Sequence, residues 1–417
     1  MTKNLLIALL TLTSGAALAQ TAETQPAAPP QAPAPAQPAT ETAAESPAAP
    51  SVDDRLTTAE GKVAALEEQN IETKNDLSAL KRLKFSGYVQ ARYTAQQSLD
   101  ETGAGGFNRF SVRRGRLKAT YTGELAQVML QIDAVPSGVA LRDAEATLFI
   151  PGTQQNLSLS IGQFKWPFGY EGPQSSTDRE FPERTSVVRA FLPGERDRGV
   201  RFSGKFLGLL RVSAGVFDGN GTNNTGFIGT DNDKEKDLIG RVGFDKKWIS
   251  GGVSGWYGNT LGKRTTGPNP DEGRKAYSRN RMGVDLQLYL DLLPVGGTAL
   301  KGEYIAGNTY QRGGVEQLGV AAHGWWAMAV QNIGLSNQVA IRYDSFDPQN
   351  SSAASESDGK LGTNNPINTL GLTAIHHFGE SLKVSATYEL PMTATADSGT
   401  VEDPKDNVFT VQFQARF

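Results

Sequence analysis

The chain has 417 residues, no cysteine, 41 Lys and Arg against 44 Asp and Glu, and a net charge of −3. Disulfide stapling and thiolate metal sites are therefore excluded, and no whole-chain charge draws it to nucleic acid. Three histidines, His323, His376 and His377, lack carboxylate-rich spacing around them, and no nucleophile elbow occurs, so neither an enzyme nor a cofactor is expected.

Residues 1–19 read as a signal peptide. Lys3 is the positive start, Leu5 to Leu12 is largely apolar, and Ala17-Leu18-Ala19 has a small-x-small cleavage form. The apolar stretch is too short to cross a bilayer as a helix, and no later run reaches the roughly 18 apolar residues that would. Residues 20–51 are rich in Ala, Pro, Gln, Thr and Glu, which predicts an extended linker unable to bury enough apolar area to offset ordering entropy.

Residues 52–83 change to a helical period. Leu56, Val63, Asn70 and Leu77 recur every seven residues, with Ala59, Leu66, Thr73 and Leu80 three positions later. These are a and d positions of about four heptads, so the segment predicts a coiled coil joining identical subunits, with Asn70 setting alignment. A single amphipathic helix lying against another surface is the alternative.

From residue 84 to 417 the period becomes two. Phe85, Gly87, Val89, Ala91 and Tyr93 alternate with Ser86, Tyr88, Gln90, Arg92 and Thr94, and similar alternation recurs at 124–134, 279–291, 338–343 and 381–390. About sixteen such strands fit, each near the ~9–11 residues that cross a bilayer when tilted. Short turns are expected near Gly123, Pro151–Asn156, Leu207-Gly208, Ser250-Gly251, Leu292–Gly297, Gly334–Asn337 and Gly379-Glu380. Longer polar loops are expected at 97–108, 169–195, 218–236, 260–278, 309–322, 347–367 and 392–406, with 135–140 a short exception. The fold class is therefore all-β, a transmembrane antiparallel barrel with short periplasmic turns and long external loops. Tyr93, Tyr121, Trp248, Trp256, Tyr257, Trp325 and Trp326 lie near strand ends, as interfacial girdle or subunit-contact residues. The last strand places Phe409, Val411, Phe413, Ala415 and Phe417 on one face. A carboxy-terminal aromatic there resembles the assembly signal of bacterial outer-membrane barrels.

Basic residues mark the expected pore. Parity puts Leu117, Ala119 and Tyr121 toward lipid and Arg114, Arg116 and Lys118 inward, cations about 7 Å apart along one strand. Guanidinium forks suit oxyanions, so these residues form a stepwise anion track, continued by Arg201 and Lys205. Arg109 and Arg113 have the other parity and belong at the rim. The longest loop follows Pro167, which interrupts the strand ladder, and carries Arg179, Arg184 and Arg189 among the acids Glu171, Asp178, Glu180 and Glu183. Asp143, Glu145 and Glu303 also face inward by parity.

Three segments carry a family resemblance: Ile161-Gly-Gln-Phe-Lys-Trp-Pro-Phe-Gly169, Ser175-Ser-Thr-Asp-Arg-Glu-Phe-Pro-Glu-Arg184 and Arg196-Asp-Arg-Gly-Val200. With the basic second strand and terminal Phe, they make residues 84–417 resemble the phosphate-selective porin O and P family. The resemblance implies a sixteen-stranded homotrimeric channel whose cations guide small anions such as phosphate through a loop-narrowed throat. An Asn at an a position favours dimers instead, and both oligomers stay open. The expected setting is the lipid of a Gram-negative outer membrane, with residues 20–83 periplasmic. A weakly selective general porin is the runner-up, and a tether from the membrane to peptidoglycan through residues 20–83 is a role that could coexist with a pore.

Overall fold

A computed structural model describes residues 51–97, 106–219, 221–222, 235–261, 275–312, 315–348, 366–392, 395–397, 400–402 and 406–417. The expected signal peptide and all but the last residue of the linker lie outside the described residues. Helix α1 (Val52–Lys81) ends two residues before the expected 83. Its start follows from a capping box: Ser51 Oγ accepts from the Asp54 N–H at 3.1 Å, and Asp54 Oδ2 accepts from the Ser51 N–H at 3.3 Å. Asp53 and Asp54 at its first turn and Lys81 at its last complement the helix dipole. Leu56, Val63, Leu66 and Leu77 are exposed along it, and the Leu80 side chain lies outside the described ones.

The strands are β1 (Leu83–Gln96), β2 (Phe107–Thr122), β3 (Ala126–Val135), β4 (Gly138–Phe149) and β5 (Leu157–Lys165). After a short helix α2 (Ser186–Phe191) come β6 (Arg196–Phe206), β7 (Leu210–Phe217), β8 (Asp237–Lys246), β9 (Ile249–Tyr257), β10 (Asn259–Leu261) and β11 (Ala276–Ser278). The series continues through β12 (Arg281–Leu293), β13 (Gly296–Arg312), β14 (Val315–Ile333), β15 (Asn337–Asp347) and β16 (Ile367–Phe378). It ends with β17 (Leu382–Pro391), β18 (Thr395–Asp397), β19 (Thr400–Glu402) and β20 (Val408–Arg416).

Sixteen of these strands close an antiparallel barrel, while β10 with β11 and β18 with β19 form two small ribbons. Closure pairs β1 with β20, from Tyr88 opposite Arg416 to Gln96 opposite Val408. Phe417 extends the seam: its N–H donates to the Gly87 carbonyl, and its carbonyl accepts from the Gly87 N–H, both at 3.1 Å. A Cβ on Gly87 would lie 2.6 Å from Phe417 Cζ, so the missing side chain seats the terminal ring.

Alternation decides which face is which. Leu117, Val128, Leu130, Leu159, Ile161, Val253 and Ile341 stand exposed on the outside, whereas Gln90, Arg116, Ser160, Gln287 and Gln412 are buried inside. An apolar exterior around a polar interior is what a bilayer requires of a closed sheet, which also leaves no edge unpaired.

Three expectations need correction. Residues 309–322 are mostly strand, because β13 and β14 run to Arg312 and from Val315 as one long hairpin. Ser250 and Gly251 lie inside β9, and the turn falls at Lys247-Trp248. Trp256 and Trp326 are buried inside the barrel rather than in a girdle, their indole N–H groups donating to Asp237 Oδ2 at 2.7 Å and Glu303 Oε2 at 3.2 Å.

Candidate functional site: a charged throat beside an inserted loop

Residues 166–195 connect β5 to β6 and fold into the barrel. Pro167 cannot donate to the sheet, and the loop closes at its base where the Trp166 N–H meets the Glu195 carbonyl at 3.1 Å. Gly169 has φ +68°, and a Cβ there would sit 1.9 Å from Glu303 Oε1, so only glycine lets the chain pass this carboxylate. Glu303 in turn accepts the N–H groups of Tyr170 at 3.0 Å and Glu171 at 3.1 Å. These bonds tie the loop to β13.

Two further attachments stretch the loop across the lumen. Helix α2 buries Val187, Val188 and Phe191 against β13, β14 and β15, where Phe191 meets Tyr310 and Phe346 edge-on. Each such side chain contributes roughly 1.5–3 kcal/mol of burial, which makes this apolar plug the principal adhesive. Toward β1, β17 and β20, the wall donates to loop carbonyls: Gln90 Nε2 to Ser176 at 3.1 Å, Lys383 Nζ to Thr177 at 2.7 Å and Arg179 at 3.1 Å, and Gln414 Nε2 to Thr177 at 3.2 Å.

The remaining lumen holds a cavity of about 660 Å³ between the loop and the β2–β8 wall. Its lining includes seven cations, Arg116, Lys118, Lys165, Arg196, Arg201, Arg211 and Arg241, against two carboxylates, Asp143 and Glu145. Most of the cations are held by acids. Arg116 Nε meets Asp133 at 3.0 Å, Arg196 Nε meets Asp143 at 2.9 Å, Arg201 Nη2 meets Glu145 at 2.5 Å, and Arg241 Nη2 meets Asp285 at 2.6 Å. Arg211 pairs with Asp245, and Lys165 Nζ donates to the Pro173 and Gln174 carbonyls. Lys118 has no ion-pair partner among the described residues. Phe164 lies under the Arg201 guanidinium at 4.3 Å, which fixes the direction of that cation.

A second cluster surrounds Glu183 in the loop. Arg92 Nη2 lies 2.9 Å and Arg113 Nε 2.7 Å from Glu183 Oε1, with Arg114 Nη2 3.6 Å from Oε2. Burial alone would raise the Glu183 carboxyl, but the Arg113 hydrogen bond and the charges of Arg113, Arg114 and Arg179 prevail and hold it well below the usual carboxylate range. Glu195 behaves likewise: burial opposes ionisation, and Arg184 and Arg196 overcome it. Arg179 is pushed down to about 10, first by burial and then by Arg184, and stays cationic at neutral pH.

Of the residues expected to form the pore, Arg116, Lys118 and Arg201 line the cavity. Arg114, Arg179 and Arg184 are buried on the loop side and do not line it, Arg189 is exposed on α2, and Lys205 is exposed near the end of β6. Arg113 is corrected from rim to interior. The β1–β2 register shifts between Gln90 and Ala91, leaving Arg113 as the extra residue of a bulge that turns it toward Glu183. The sequence reading missed Arg92, Arg196, Arg211 and Arg241. Asp143 and Glu145, placed inside by parity, are the counter-ions of Arg196 and Arg201.

A closed sixteen-stranded barrel with an inserted loop and a charged interior is the fold of an outer-membrane porin. The family model described as phosphate-selective porin O and P matches residues 84–244, the part of the chain that carries the resembling motifs. Among solved structures, the anion-selective porin from Comamonas acidovorans is similar with a TM-score of 0.57 at 14% identity, over 80% of this chain and 99% of that one. Pseudomonas putida OprB matches with a TM-score of 0.58 at 13% identity, over 83% of this chain and 96% of its own. The trimer form of Vibrio cholerae OmpT matches with a TM-score of 0.52 at 12% identity, over 80% and 99%. At these identities the likeness establishes the fold. No curated protein sequence matches the chain.

Proposed function

We propose that the protein is a passive, anion-preferring diffusion channel of the outer membrane, passing small oxyanions of the phosphate or polyphosphate class. The observation that supports this most is the excess of seven cations over two carboxylates on the cavity wall. Arg116, Lys118 and Arg201 carry the track, extended by Arg211 and Arg241 on the neighbouring strands β7 and β8. In a narrow lumen the effective dielectric falls below that of bulk water, so this excess acts on a passing ion more strongly than the same charges on an open surface. The terminal Phe417 seated on Gly87 supports assembly into the outer membrane by the carboxy-terminal strand. The trimeric channel among the similar folds supports a homotrimer, and the heptads of α1 support subunit pairing on the periplasmic side.

A weakly selective general pore is the second reading. It is favoured by Asp133, Asp245 and Asp285, which sit directly behind Arg116, Arg211 and Arg241 and offset their charge. Replacing Arg201 and Arg241 together with Glu separates the two. The proposed track predicts that the zero-current potential in a bilayer salt gradient moves toward cation preference. An unchanged potential favours the general pore.

A further inference from the structure

The cavity beside the inserted loop has two chemically different sides. The β2–β8 wall brings the cations Lys118, Arg201, Arg211 and Arg241, whereas the end of β5 and the loop bring Phe164, Trp166, Pro167, Tyr170 and Pro173. Trp166 is buried and packed edge-on against Trp256 at 4.8 Å, so it backs this side rather than meeting the lumen. Tyr170 is half-buried and Pro173 exposed, and these two present the apolar surface. Tyr170 is fixed in this position. Its N–H donates to Glu303 at 3.0 Å, its ring tilts against Trp326 with centroids 6.2 Å apart, and its hydroxyl shares a hydrogen bond with that of Tyr289. The cations on the loop side are already engaged. Lys165 donates to the Pro173 and Gln174 carbonyls, and Arg196, 1% exposed, is forked onto Asp143.

A hydrated inorganic ion gains nothing from an apolar surface, because the hydrophobic term scales with the apolar area removed from water. An anion with a flat apolar body does gain, and a cavity of about 660 Å³ falls within the roughly 300–1,000 Å³ of sites that take small organic ligands. We propose that the channel favours planar aromatic monocarboxylates among small anions, the ring lying against Tyr170 and Pro173 and the carboxylate facing Lys118 and Arg201. This names a substrate class for the anion-channel reading of the same cavity and rests on that reading. Phe164 beneath the guanidinium keeps Arg201 directed, while Glu145 takes its Nη2 at 2.5 Å. The Tyr170 ring offers the offset or edge-on contact that aromatic pairs prefer. Burying one ring face there should favour such an anion roughly tenfold over one with the same charged end and no ring.

The test follows chloride current through the full-length protein in a planar bilayer at neutral pH, titrated with benzoate, acetate or gluconate. Gluconate matches benzoate roughly in size but is hydroxylated. Benzoate should half-block the current at a concentration roughly tenfold below that of acetate or gluconate. Tyr170→Ala with Pro173→Ser should bring the benzoate value up to that of acetate and leave acetate unchanged, whereas Tyr170→Phe, which keeps the ring, should retain the preference. Should the double variant not fold, Pro173→Ser alone changes an exposed residue and should weaken benzoate block selectively. Equal block by benzoate and acetate, block by gluconate as strong as by benzoate, or a preference untouched by these substitutions would each overturn the proposal while the anion track stands. A cation-selective wild-type channel that none of the three anions blocks would overturn the track as well.

Discussion

Replacing Glu183 with Gln removes the carboxylate that holds Arg92, Arg113 and Arg114, at 2.9, 2.7 and 3.6 Å, to the inserted loop. Removing one partner of a buried ion cluster typically costs 3–5 kcal/mol, and the Glu183 side chain is 27% exposed, so the low end, about 3 kcal/mol, applies here. That loss corresponds to a roughly 150-fold shift toward an undocked loop segment between Pro173 and Arg184. Helix α2 keeps its own apolar attachment, so the barrel itself should survive. Limited trypsinolysis of the purified protein provides the assay, because cleavage at Arg179 and Arg184 tracks the open population when reclosing is fast. Glu183→Gln should accelerate cleavage by about two orders of magnitude. The wild type should show an acid limb that the variant lacks. The folded carboxyl is depressed, so its contribution is complete above the unfolded value near 4.3 and is lost as pH falls through the folded value. Docking should therefore persist at pH 5 and loosen only well below pH 4. Cleavage rates within twofold of each other, or a wild-type loop already released at pH 5, would refute the cluster's role in docking.

Three other perturbations probe separate links. Gly87→Val puts a Cβ 2.5 Å from the Arg116 carbonyl oxygen and 2.6 Å from Phe417 Cζ, and it should lower the yield of heat-modifiable folded barrel, as should deletion of Phe417; full assembly in both would contradict the seam described above. Phe191→Ala should cost the plug about 3–5 kcal/mol and produce noisier, larger single-channel currents, whereas quiet currents of wild-type size would show that α2 is not what narrows the lumen. Because the chain has no cysteine, Leu66→Cys offers a single crosslinking position on α1, and subunit pairs linked under oxidation should vanish when Leu77→Asp is added. No linked pairs at all would remove the coiled coil.

The alternation on sixteen strands was legible in the sequence because each barrel strand divides water from lipid residue by residue. The same regularity concealed the interior of the site. In Ser111-Val-Arg-Arg-Gly-Arg116 two polar residues stand in succession, which is the trace of the bulge that turns both Arg113 and Arg114 toward Glu183. Arg142, beside Asp143, marks a second register shift of the same kind in β4. Glycines misled for a different reason. Gly251 lies in β9 where a Cβ would meet the Asp285 carbonyl at 2.7 Å, and at Gly252 it would meet Arg241 Nη2 at the same distance, so these residues make room rather than turn the chain. Trp256 and Trp326 defeated the girdle reading because a barrel interior filled by a loop has apolar and polar partners that a two-residue period cannot reveal. Ion pairing across strands was equally hidden: parity put Arg201 and Glu145 inside, but only strand order brings them together.

The central claim is anion preference, and the zero-current potential of the wild-type channel across a chloride gradient in a planar bilayer, with phosphate then added, tests it most directly. The charge excess on the cavity wall predicts a potential of the anion-selective sign and a chloride current that falls as phosphate competes for the same cations. A potential of the cation-selective sign would contradict the account.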